Sequence, residues 1–333
     1  MTEFKKYATF SQQLNRIKEN DIITIHGHAF PDGDCFGSQI GLRDSLRLAF
    51  PSKRIYAVGS GLPRFKKFLG ETDIVSDEII KQSLAILVDG NDLSRMEDKR
   101  VYTAKQWIKF DHHVDSGSFV EGESFVDENA CSACEIIANF IIDCKLPIDK
   151  QVANALFLGI LTDSGRFQYI NDFSRVFELV AKLCKFGAEP NPINQILNLT
   201  NEEALKFKGF VFSNYEKTKG GVLYLILNKE QLFFFGISAN KAGSMVNLLS
   251  NVKGYPIWAF FCENDDGTCH AEFRSNGPFV QPVAAKYGGG GHQLAAGVTL
   301  KNNSRELIKD VLNDLDLSIK EYKEDNKSCG KKN

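Results

Sequence analysis

Short apolar runs that stop on a histidine or an aspartate constrain this chain most. Residues 21–27 (DIITIHG) and 84–90 (LAILVDG) are apolar almost throughout, and residues 106–110 (QWIKF) lead straight into Asp111. Runs of this length and character read as strands buried on both faces. Residues 54–59 (RIYAVG) read as a further strand. Between them, residues 37–50 carry helical periodicity, with Ile40, Leu42, Leu46 and Phe50 among the apolar positions. More helices are expected near 132–143, 150–161 and 174–186. Strands alternating with helices predict an α/β fold whose parallel sheet carries helices on both faces.

The polar residues fall where such a sheet binds its ligands, just beyond the C-terminal ends of the strands. His28, Asp32 and Asp34 lie in HAFPDGDCFGS after the first strand; Asp89 ends the third and Asp111, His112 and His113 the fourth. Pro31 and Gly33 predict a tight turn at His28–Asp34 rather than the start of a helix. Asp163, in LTDSGRF, is placed at the end of a helix that can lean over the same edge. Each aspartate alone reads as a cap or turn residue, and each histidine alone as a bonded core group. Together, at successive strand ends, they read as a site. Imidazole with carboxylate is a ligand set for Mn²⁺, Fe²⁺, Co²⁺ or Zn²⁺. Six groups, His28, Asp32, Asp34, Asp89, His112 and Asp163, are enough for two ions with one ligand shared. Paired ions about 3.5–4 Å apart clamp the oxygens of a phosphoryl group and activate water, so no covalent intermediate is expected. His26 reads as packing or as a supporting group rather than a ligand.

The 333 residues provide for two domains, and 43% hydrophobic with 25% charged residues is a globular composition. The net charge of −2, from 40 basic and 42 acidic residues, argues against a surface that grips long nucleic acid. It leaves room for a short anionic substrate held by metal ions. The first residues, MTEFKKYATF, contain no secretory apolar stretch, and no apolar run approaches the ~20 residues of a membrane span, so a reducing cytoplasm is expected for the eight cysteines. CSAC at 131–134 has no second pair to complete a zinc site and reads as a buried helical stripe with Ala138 and Ile141.

The pattern changes around residues 188–195. Residues 201–218 read as a helix with Asn201 as N-cap, followed by strands at 221–227, 255–263 and 269–275, with NDDG as a hairpin turn. A helix is expected over 239–250. Four consecutive glycines, Gly288–Gly291, let backbone N–H groups approach an anion, and GHQLAAG is expected to open a helix that adds positive potential. Arg274 and His292 offer charge-assisted hydrogen bonds to phosphate. The end, KEDNKSCGKKN, reads as a frayed tail.

HAFPDGD, DGND, DHH and LTDSGRFQY resemble the four ordered motifs of the DHH phosphoesterases, and FRS with GGGGHQLAAG resembles the companion DHHA1 domain. The resemblance covers nearly the whole chain. It implies a DHH catalytic domain over 1–195, a helical linker over 196–215, a smaller α/β DHHA1 domain over 216–325 across a cleft, and a polar tail over 326–333. The branch most similar in length and layout cuts short oligoribonucleotides to mononucleotides and converts 3′-phosphoadenosine 5′-phosphate (pAp) to AMP, with two divalent ions, usually Mn²⁺.

Carried over by position, the resemblance implies that His28, Asp32 and Asp89 hold one ion. Asp34, Asp89, His112 and Asp163 hold the other, with Asp89 bridging. His113 is then the catalytic group facing the scissile phosphate, and Asp111 orients a histidine. Arg274, Ser275, Gly289, Gly290, Gly291 and His292 bind the nucleotide. Cys35 stands where a small residue is usual, DGND where DTAD is common, and Val114, Asp115 and Ser116 where an asparagine is often found. Expected partners are short RNA, pAp or linear dinucleotides, with no membrane and no long nucleic acid; a homodimer is expected from the family. A sibling reading is a phosphodiesterase of the cyclic-di-AMP pathway cutting linear pApA. A reading of another class, a non-catalytic nucleotide-binding protein, predicts the loss of a ligand, and all six are present. Manganese pyrophosphatases share the first domain but not the GGGGH segment.

Overall fold

The computed structural model describes residues 8–90, 92–113 and 124–329. The chain divides into two compact units, residues 1–199 and 200–333.

In the first unit the order is α1 (Phe10–Glu19), β1 (Ile22–His26), α2 (Gly33–Ala49), β2 (Arg54–Val58), α3 (Lys66–Leu69), α4 (Asp77–Gln82), β3 (Leu84–Val88), β4 (Gln106–Asp111) and β5 (Ser124–Val126). It closes with α5 (Ala133–Asp143), α6 (Lys150–Asp163), α7 (Phe173–Lys185) and α8 (Pro190–Asn198). The sheet runs β2-β1-β3-β4-β5, and every pairing is parallel. The chain leaves β1 toward β2 and returns to β3 on β1's other side. The switch point therefore lies between β1 and β3, where open α/β sheets bind ligands.

Alternation along β3 shows why its sequence is apolar throughout. Ile86 and Val88 enter a large core with Phe110, Phe140, Leu156 and Phe157, while Ala85 and Leu87 join Val58, Ile80, Met96 and Val101 on the other face. The long helices α2 and α5 lie on the first face, with α6 packed against both; α4 and short 3₁₀ turns lie on the second. The helices pack closely through glycines. A Cβ on Gly159 of α6 would lie 2.2 Å from Cys134 Sγ and 2.6 Å from Asp34 Oδ1. Gly159→Ala is therefore expected to lower stability by about 1–3 kcal/mol through overpacking, read by thermal or denaturant unfolding.

The second unit contains α9 (Glu202–Asn214), β6 (Glu216–Lys217), β7 (Val222–Leu227), α10 (Lys229–Phe234), α11 (Ala239–Gly243), β8 (Ile257–Glu263), β9 (Cys269–Ser275), α12 (Gln281–Lys286), β10 (Gly290–His292), β11 (Ala295–Leu300) and α13 (Arg305–Cys329). Its sheet runs β10-β11-β9-β8-β7-β6, with β7 and β8 parallel and the other pairs antiparallel. Asn201 caps α9 through its side chain.

Several expectations are corrected. The helix after β1 begins at Gly33, not residue 37, because the Asp32 side chain caps it by accepting from the N–H groups of Asp34 and Cys35 at 3.0 Å. GHQLAAG opens no helix. It forms the β10–β11 hairpin, with Gln293 and Leu294 as the two-residue loop. The span 239–250 holds the short α11 and a 3₁₀ turn at Val246–Leu249. The first part of the expected tail continues α13 as helix to Cys329, a helix anchored by the buried stripe Ile308, Val311, Leu312, Leu315 and Ile319; residues 330–333 lie outside the described residues. Cys134 is buried in α5, whereas Cys131 precedes the N-cap Ser132 and is only half-buried. Asn91 of DGND and residues 114–116 lie outside the described residues.

Candidate metal centre

β1, β3 and β4 deliver the predicted groups to one edge. His28 follows β1 by two residues, Asp89 follows β3 by one, and Asp111 ends β4 with His112 and His113 behind it. Asp89 has a φ of +55°, a left-handed conformation that aspartate tolerates better than most residues and that turns the chain sharply at the strand end. Its carboxylate is almost fully buried, and its two oxygens face different histidines. Oδ2 lies 3.4 Å from His28 Nε2, and Oδ1 lies 3.5 Å from His112 Nε2.

The other groups cluster on either side of it. His112 Nε2 is 3.3 Å from Asp163 Oδ2 at the end of α6. Asp34, His112 and Asp163 offer ligand atoms within 4.8 Å of one another, as do His28, Cys35 and Asp89, and Asp89, His112 and His113. Asp34 is fully buried and accepts from Ala133 N at 2.6 Å and Cys134 N at 2.9 Å, the first N–H groups of α5. Asp32 stands farther out, 3.9 Å from His28, with Oδ1 committed to its cap. His113 Nδ1 bonds Asp111 Oδ1 at 2.8 Å. His26 is buried, bonded to Thr24 Oγ1 at 2.9 Å and pushed down to about 4 by that burial. It sits with the packing of β1, apart from the groups around Asp89.

The electrostatics are those of carboxylates and imidazoles packed together. The Asp89 hydrogen bond pushes His28 up to about 9, against burial. Burial opposes the cation on His112, yet its bond to Asp89 and the charges of Asp34 and Asp163 raise it to about 9. Burial, with neighbouring carboxylates, raises Asp34 and pushes Asp163 up to about 6. Burial would raise Asp89 too, but the two histidines outweigh it and hold it below the usual carboxylate range. Protons on imidazoles thus do the neutralising that a divalent cation does better, and the donors are imidazole nitrogen and carboxylate oxygen. The residues fit such an ion.

In the second unit, register places His292 opposite Ala295 and Ala295 opposite Arg274, so Arg274 and His292 share one row across three strands. The Arg274 guanidinium donates to Glu272 at 2.7 Å. A Cβ on Gly289 or Gly291 would strike the backbone of β11 at 2.3 and 2.5 Å, whereas Gly290 faces open space. Two of these glycines are thus required by the hairpin itself. Ser275, next along β9, is buried and turned to the opposite face from Arg274, so the structure does not bring it to that row.

Sequence reasoning missed two things here. One is the α5 N-terminus that cradles Asp34; its signal is Ser132 followed by Glu135, a capping pattern, and Ser132 Oγ does accept from Glu135 N. The other is Lys109, fully buried with its Nζ 3.8 Å from Asp111 Oδ2. Its signal is a charged residue inside an apolar strand.

Residues 22–160 match the N-terminal domain of the DHH family, and residues 219–321 match the DHHA1 domain. The chain is 36% identical over 315 residues to the bifunctional oligoribonuclease and PAP phosphatase of Mycoplasma genitalium, covering 93% of this chain and 97% of that one. It is 31% identical to the enzyme of the same description from Bacillus subtilis, covering 94% and 99%. An exopolyphosphatase-related protein from Bacteroides fragilis superposes with a TM-score of 0.80 at 25% identity, covering 94% and 96%. DHH phosphoesterases use divalent metals, and the clusters around Asp89 supply groups suited to hold them. The chain belongs to the DHH family of phosphoesterases.

Proposed function

We propose that this chain is a two-metal phosphoesterase, served by Mn²⁺, that hydrolyses oligoribonucleotides of about two to five nucleotides to mononucleotides and pAp to AMP. The observation that carries the reading is Asp89, whose two oxygens face His28 and His112 separately. His28, Asp32 and Asp89 would hold one ion; Asp34, Asp89, His112 and Asp163 the other. Bound there, the pair would polarise the phosphoryl group and favour attack by water. His113, with Nδ1 held by Asp111, has Nε2 left to hold a proton against a phosphate oxygen. Arg274 and His292, with the open Gly290 between the hairpin-required Gly289 and Gly291, bind the nucleotide. The free thiols of Cys35, Cys134, Cys262 and Cys269, all buried, suit a cytoplasmic setting.

The test is hydrolysis of a diribonucleotide, pAp and a 24-mer RNA with Mn²⁺, with and without chelator. The dimer and pAp should be cut and the 24-mer spared, and chelation should abolish activity. On the dimer, His292→Ala should raise KM about tenfold, the cost of one charge-assisted bond, with kcat little changed. Asp163→Ala should instead lower kcat about 10²-fold or more. A 24-mer degraded as fast as the dimer, or full activity in EDTA, overturns the reading.

A further inference from the structure

Phe30 lies between His28 and Asp32, is 94% exposed and has a φ of +59°. A left-handed backbone is unfavourable for a bulky side chain, and a side chain left in water gains no burial in return. Strain of this kind persists where the surrounding structure imposes it, and it concentrates at functional sites. Here the imposing structure is visible. Ala29 N donates to Arg95 O at 2.9 Å, Glu97 N donates to Gly27 O at 3.0 Å, and His28 and Met96 form an isolated bridge. The loop carrying Phe30 is thereby fixed in register against the 3₁₀ turn Leu93–Arg95.

Arg95 is exposed and lines the same cavity of about 390 Å³ as His28, Asp32, Asp89, His113 and Asp163. Of the described residues lining that cavity it alone carries a permanent positive charge. Its guanidinium makes no ion pair among the described residues.

Resting on the phosphoesterase reading above, we propose that Phe30 and Arg95 form a nucleotide grip within the first unit. Phe30 stacks on the base beside the scissile phosphate, and Arg95 pairs with the phosphate that is not cut. An aromatic face accepts any base, and a guanidinium fork matches phosphate geometry. One such grip lets pAp, with its second phosphate, and a 5′-phosphorylated dinucleotide use the same cavity. Both are substrate-binding residues that set specificity; neither takes part in bond cleavage.

The Mn²⁺-loaded enzyme is assayed on pAp and on adenosine 3′-phosphate, which lacks the second phosphate. AMP affinity is measured by calorimetry in parallel. Phe30→Ala should raise KM about tenfold on both substrates with kcat retained, and Phe30→Tyr should restore it. Arg95→Ala should raise KM about tenfold on pAp but not on adenosine 3′-phosphate. Phe30→Gly, which relieves the positive φ, should melt no lower than the parent yet bind AMP about tenfold more weakly, a split that a purely structural role would not produce. If the parent hydrolyses pAp and neither Phe30→Ala nor Arg95→Ala changes KM, the grip is wrong and the phosphoesterase reading stands. If the parent hydrolyses neither substrate, that reading fails. AMP affinity then decides the grip: an unchanged value in Phe30→Ala overturns it, and a tenfold loss upholds it.

Discussion

Asp89→Asn should lower kcat on pAp about 10³-fold or more, since loss of one electrostatic stabiliser already costs about 10²–10³ and this one serves both halves of the site. Asparagine keeps the shape and, like aspartate, tolerates the φ of +55° that the position imposes. The variant should therefore fold, though in chelator below pH 9 it should melt lower than the parent, because His28 and His112 lose the partner that raises them. What it removes is the charge that both His28 and His112 are bonded to. Without it the two histidines lose the partner that raises them, and each cation loses a ligand oxygen. Metal content measured on the purified variant should fall together with kcat. A variant that keeps its metal and turns over at the parent rate would show that Asp89 does not bridge.

The second large effect is on metal affinity as a function of pH. In the metal-free fold both imidazoles stand at about 9, raised from 6.5. A raised histidine stabilises the fold fully below pH 6.5, and that contribution is lost as pH climbs through about 9. The metal-free protein should therefore melt at a lower temperature at pH 9 than at pH 6.5. A cation needs the neutral ring, so loading expels protons and is favoured in the opposite sense. Apparent affinity should rise toward pH 9, by up to about tenfold per pH unit for each histidine that must release a proton. Calorimetry with Mn²⁺ at pH 6.5 and 7.5, in two buffers of different ionisation enthalpy, reads both the affinity and the proton release. Equal affinities with no proton release would contradict the placement of metal at His28 and His112.

The first sheet was legible because its strands are buried on both faces, which leaves continuous apolar runs. Asp89 and Asp111–His113 break those runs where the sheet ends. The start of α2 was not legible, because Asp32 serves the cap as well as the candidate site, and proline with glycine resembles a simple turn. GHQLAAG misled for a related reason. Alanine and leucine favour helix locally, but the hairpin supplies cross-strand bonds to β11, and Gly289 and Gly291 permit the close backbone approach it requires. α13 was hidden by its polar composition, although the spacing of Ile308, Leu312, Leu315 and Ile319 was present throughout. Asp34 was found as a candidate ligand, but nothing local in sequence foretells that the amides of Ala133 and Cys134, a hundred residues away, hold it. Nothing in the sequence marks Phe30, because a single exposed aromatic is ordinary; only its backbone conformation sets it apart.

Two cations are expected to flank Asp89. Anomalous diffraction from a crystal grown with Mn²⁺ should then show two peaks with Asp89 between them, one beside His28 and Asp32 and the other beside Asp34, His112 and Asp163. A single peak, or peaks elsewhere in the first unit, would contradict it.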